Sequence, residues 1–117
     1  MIASYKDLIV WQKSIILVKE VYKLTSTFPK DELYGLVSQM RRAAVTIPSN
    51  IAEGFGRKSH KEQNQFYLIA FSSALELETQ IIIAKELKFL DVQKSLLLDP
   101  ILLEVIKMLN KMTILSR

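Results

Sequence analysis

The sequence predicts an all-α fold, an antiparallel up-down-up-down four-helix bundle with helices over about 7–26, 31–53, 59–90 and 92–115. Three observations lead there. Apolar residues recur at helical spacing in four long segments. The connections between those segments are short, which makes sequential helices antiparallel neighbours. Half of the 117 residues are hydrophobic while only three are glycine and three proline, a composition of packed regular structure. A single domain over 1–117 follows from this length.

The first segment carries Leu8, Trp11, Ile15, Val18 and Tyr22 as one ridge and Val10, Leu17, Val21, Leu24 and Phe28 as another. An apolar surface this wide calls for more than one neighbour. Phe28-Pro29 ends it, because proline disfavours helical geometry in the residue before it. The second opens at Asp31, a capping residue type, and presents Leu33, Leu36, Met40, Ala43, Ile47 and Ile51 on one line. That line continues in phase through Pro48, so a kink near 44–48 is expected; division into two helices at Thr46 is the competing reading.

Ser59 and Glu62 have the spacing of a capping box ahead of the third and longest segment. Phe66, Ala70, Leu77, Ile81 and Ala84 make one stripe, with Phe71, Leu75, Ile82 and Phe89 beside it. Glu78 falls within that apolar arc, where burial would require a partner such as Arg41 or Arg42. In the last segment Asp91 is a cap candidate and Ile101, Val105, Met108, Met112 and Leu115 share a face. Pro100 either kinks this helix or marks its start with Asp99 as the cap.

Composition also bounds function. Cysteine is absent, so neither disulfides nor thiolate metal sites are possible. No signal-peptide pattern and no unbroken apolar run of about 18 residues is present, so a cytoplasmic protein without a membrane span is expected. The formal charge of +4 is spread, at +3 over residues 1–30, +1 over 31–60, −1 over 61–90 and +1 over 91–117. No single basic arm stands out.

Chemistry-bearing patterns are sparse. The one histidine, His60, has no Glu-x-x-His context, so no metal or cofactor is expected. Ser72 and Ser73 lack a histidine on their face and a nucleophile elbow. Glu76 and Glu78 point about 160° apart on a helix and do not face one another as an acid/base pair. A non-enzymatic protein is the expectation. The stretch SNIAEGFGRKS, residues 49–59, ends in Gly-Arg-Lys-Ser but follows a helix and lacks the glycine a Walker loop needs five positions earlier. What remains is a gathering of Arg57, Lys58 and Lys61 at the start of a helix, suited either to phosphate contact or to a solvated turn. Arg41 and Arg42 point about 100° apart, so they do not face one partner alike: one suits a carboxylate such as Glu53, Glu76 or Glu78, while the other reaches solvent, a neighbouring subunit or phosphate.

Taken together, Asp7-Leu8-Ile9-Val10-Trp11-Gln12-Lys13, then Leu36-x-x-Gln39-x-Arg41-Arg42-Ala43-Ala44, then Ile47-Pro48-Ser49-Asn50-Ile51-Ala52-Glu53-Gly54, and Phe66-x-x-x-Ala70-x-x-Ser73-x-Leu75-Glu76-x-Glu78 resemble the bacterial four-helix-bundle family of 23S rRNA intervening-sequence proteins. That family is related to the accessory protein of diversity-generating retroelements. The resemblance implies a homopentameric ring, in keeping with the excess apolar arc on the first and third helices. It also implies a partner among RNA, DNA or a reverse transcriptase. The expected function is binding of structured RNA or other nucleic acid without sequence readout through Arg41, Arg42, Arg57, Lys58 and Lys61. The alternative is a scaffold that recruits an enzyme and uses its arginines between subunits. Trp11, Gln39, Asn50, Glu53, Gly54, Glu76 and Glu78 are the structural or subunit-contact candidates.

Overall fold

The computed structural model describes residues 2–115. Four helices, α1 (Ile9–Thr25), α2 (Ser38–Phe55), α3 (His60–Glu86) and α4 (Leu98–Leu115), pack in cyclic order, α2 against α3 most extensively and α4 closing back onto α1. The molecule extends 43 × 23 × 21 Å, its long axis close to the roughly 40 Å that a helix the length of α3 spans. The predicted bundle is the fold that forms.

The core is built from one stripe of each helix. Val10, Leu17, Val21 and Leu24 of α1 meet Met40, Ile47 and Ile51 of α2, Leu77 and Ile81 of α3, and Leu98, Leu102, Val105 and Leu109 of α4. Of the two ridges read on α1, the second is therefore the core face, and Trp11 and Val18 of the first pack on its flank. On α4 the core line runs one position beyond the expected one, leaving Ile101, Met108 and Met112 partly buried; the side chain of Leu115 lies outside the described residues. Ala43 and Ala44 of α2, with Ala70 and Ala74 of α3, are fully or nearly fully buried, so small side chains let these two backbones approach closely.

Helix boundaries differ from expectation where long-range contacts override local signals. Before α1, Ser4 Oγ accepts from Lys6 N and caps a single turn, Tyr5–Asp7. Ahead of α2 the chain makes two irregular turns, Lys30–Glu32 and Leu33–Val37, and leaves helical geometry at Gly35 (φ −109°, ψ −112°). Asp31 makes no capping hydrogen bond, and regular helix begins only at Ser38. From there α2 runs unbroken through the buried Pro48, so division at Thr46 does not occur. Thr46, Ser49 and Asn50 each bond back to the carbonyl four residues earlier, a pattern that goes with bent helices.

Ser59 caps α3 as predicted, its Oγ accepting from Glu62 N at 3.2 Å, without the return bond from the Glu62 side chain. The helix stops at Glu86, four residues earlier than read. Lys88 takes the left-handed conformation (φ 63°), Phe89 N donates to Ala84 O and Lys88 N to Lys85 O, which together make a Schellman stop without glycine. Phe89 then packs on Phe28, with ring centroids 5.8 Å apart, and Leu90 is buried. Asp91 caps a turn, accepting from Lys94 N, instead of a helix. Helix α4 begins at Leu98, so Pro100 sits in its first turn, where the missing amide costs nothing. Asp99 is not the cap; its carboxylate accepts from Lys85 Nζ at 2.6 Å and lies 3.0 Å from Ser95 Oγ, tying α3 to α4.

Candidate functional site

The paired arginines of α2 diverge as their spacing requires, and their surroundings separate their roles. Arg41 turns toward α1: Nε donates to Thr25 Oγ1 at 2.9 Å, Nη2 to Tyr22 O at 3.4 Å, and the guanidinium lies 4.6 Å over the Tyr22 ring. Tyr22 O is one of the last carbonyls of α1, so Arg41 places a cation where the helix end is negative. None of Glu53, Glu76 and Glu78 is its partner. Arg42 lies on the outer ridge of α2, exposed, its side chain without an ion pair or hydrogen bond among the described residues. It borders an open groove of about 400 Å³ between α2 and α3, with Gln39, Thr46, Ser73 and Glu76.

Glu78, expected within a buried arc, is exposed and needs no neutralising partner. Glu76 accepts from Gln80 Nε2 at 3.2 Å, and the Gln80 Oε1 behind it is buried without a hydrogen bond. Glu53 pairs with Arg57 at 3.1 Å, and Arg57 also stacks 4.7 Å over Phe66. Lys58 and Lys61 beside it are exposed and carry no ion pair among the described residues. Trp11 meets Tyr5 edge-on, with centroids 5.3 Å apart, and lines a shallow apolar groove with Ile15, Val45 and Pro48. Asn50 is used within its own helix.

Gly54 is the residue whose role the sequence misstates. A glycine this near a helix end suggests a chain reversal, but Gly54 is helical and buried, and no glycine has positive φ. A Cβ there would stand 2.6 and 2.9 Å from the Tyr67 ring and 3.1 Å from Phe66 Cβ. Its absence of a side chain seats α3 on α2, and burial raises the pKa of the Tyr67 phenol.

Residues 6–111 match the family model described as 23S rRNA-intervening sequence protein, which takes in α1, α2, α3, most of α4 and every candidate side chain above. The chain belongs to that family. No curated protein matches it. The family's description names an intervening sequence and no chemistry, so the roles of its side chains rest on the geometry. Among the described residues no three His, Asp or Glu side chains converge as a metal site would require. Tyr22, Thr25 and Tyr34 carry no functional signal in the sequence, because aromatic and hydroxyl residues at helical spacing look like ordinary helix content until their neighbours are known.

Proposed function

We propose that this family member acts without catalysis, binding structured RNA or other nucleic acid through phosphate contacts that do not read sequence. The observation that carries the reading is the set of unengaged cations: Lys58 and Lys61 at the start of α3, and Arg42 on the outer ridge of α2. Arg57 is held in place between Glu53 and Phe66, so it supports this end of the bundle as much as it offers charge. Arg41 is committed to α1. Phosphate binding releases counterions, so affinity should fall steeply between about 50 and 200 mM salt. Filter binding with a structured RNA tests this, and replacing Lys58 and Lys61 together by alanine should lower the slope of log K against log salt by roughly two. No affinity at low salt, or affinity indifferent to salt, would overturn the reading.

A second reading is supported by the outer face of α3, where Leu68, Leu75 and Ile82 recur at seven-residue spacing and are 40–53% exposed. Such a stripe suits a subunit contact in a homopentamer, or docking of an enzyme such as a reverse transcriptase. By length and composition α3 is also apolar enough to cross a membrane. The exposed Glu76 and Glu78 near its middle speak for an aqueous, cytoplasmic setting, since carboxylates are costly in hydrocarbon. Solution mass decides the assembly, and a monomer would defeat the pentamer.

A further inference from the structure

A second surface lies where the end of α1 meets the irregular start of α2. Tyr34, on the turn that precedes α2, is 93% exposed, an unusual position for a large aromatic ring. It shares an open groove of about 480 Å³ with Tyr22, Val37, Ser38, Arg41 and Arg42, and no carboxylate lines it. That volume lies in the range of small-ligand sites, roughly 300–1,000 Å³. The Arg41 plane is already fixed over Tyr22 by its bonds to Thr25 and Tyr22, so it needs little ordering when a ligand arrives.

Aromatic rings and guanidinium planes beside unpaired arginine form the combination on which unstacked bases lie while the backbone is neutralised. We infer that the Tyr22–Tyr34–Arg41–Arg42 groove holds an unpaired base of single-stranded nucleic acid, stacked on Tyr34 beside the fixed Arg41 plane, with a flanking phosphate on Arg42. This rests on the nucleic-acid reading above and adds to it a preference for unpaired segments. Glu32, on the turn before Tyr34, points its carboxylate toward Gly35, so the phosphate lies on the α2 side of the groove. A base has an aromatic face whatever its identity, which keeps the site tolerant of sequence.

The test is fluorescence anisotropy with short labelled single strands of RNA and of DNA, a duplex of the same length, and a single strand with abasic positions. Stacking of one base is worth about 5- to 150-fold in affinity, so Tyr34→Ala should weaken both single strands by about ten-fold or more, while Tyr34→Phe binds as the unmodified protein does. The abasic strand should bind the unmodified protein as weakly as the intact strand binds Tyr34→Ala, with no further loss when the two are combined. Comparison of RNA with DNA tells whether the 2′-hydroxyl contributes. Tyr34 is almost fully exposed, so unchanged helical circular dichroism is the expected control. Equal single-strand affinity for Tyr34→Ala and the unmodified protein overturns the stacking site but leaves phosphate binding standing. Absence of affinity for every nucleic acid at low salt removes both. A changed solution mass with unchanged oligonucleotide affinity assigns Tyr34 to a subunit contact and also overturns the proposal.

Discussion

Replacing Gly54 by alanine tests the closest contact in the bundle. Helix propensity alone says the change should help, because alanine is favoured over glycine by about 1 kcal/mol in a helix interior. The structure says the opposite. The new Cβ would meet the Tyr67 ring at 2.6 and 2.9 Å and Phe66 Cβ at 3.1 Å. The ring is buried and cannot swing into solvent, and Phe66 Cβ moves only with the α3 backbone. Overpacking of this kind costs about 1–3 kcal/mol. Contacts this short belong to the upper part of that range, so with the propensity gain subtracted a net loss of about 1–2 kcal/mol is expected, which for a chain of this size lowers the melting temperature by roughly 4–8 °C. Thermal and urea denaturation followed by circular dichroism reads it. Gly56→Ala is the control: a Cβ there finds nothing nearer than 3.6 Å, so the variant should match or slightly exceed the parent. Combining Gly54→Ala with Tyr67→Leu should cost less than the sum of the two single changes, since they share one contact. A Gly54→Ala protein as stable as the parent would refute the close-approach argument.

Other perturbations follow from the same contacts. Lys88→Gly should stabilise by about 1 kcal/mol, read as a raised denaturation midpoint, because only glycine takes the left-handed conformation at the α3 stop without steric cost. Arg41→Ala should destabilise by about 1–2 kcal/mol through loss of its bonds to Thr25 and Tyr22, whereas Arg42→Ala should change stability by less than about 0.5 kcal/mol; urea titrations separate them. Tyr67 gives an alkaline signature. Burial raises its pKa above the ordinary 10.0, so below that value both states are neutral, and above it the unfolded chain loses its proton first. The folded state then binds more protons, stability falls as pH rises, and Tyr67→Phe should flatten that fall in urea midpoints measured from pH 9 upward.

Much of this architecture is written locally. Four helices, their order, the Ser59 cap and the passage of α2 through Pro48 all follow from apolar spacing and hydrogen bonds that span a few residues. The 100° divergence of Arg41 and Arg42 is equally local, and so is the failure of residues 49–59 as a nucleotide loop. Partners across helices were not legible. Nothing near Lys88 signals a stop, because no glycine is there; burial of Leu90 and the packing of Phe89 on Phe28, 61 positions away in the chain, make the left-handed turn worthwhile. Glu78 looked buried only because periodicity cannot tell a core stripe from an outer apolar stripe on a helix that has both. A glycine near a helix end ordinarily marks a chain reversal, whereas the reason for Gly54 is a tyrosine ring on the next helix. The same holds at the candidate sites: cation identity is plain from residues, but which cations are already spent on Tyr22, Thr25 and Glu53, and which face solvent beside Tyr34, depends on how α1, α2 and α3 pack.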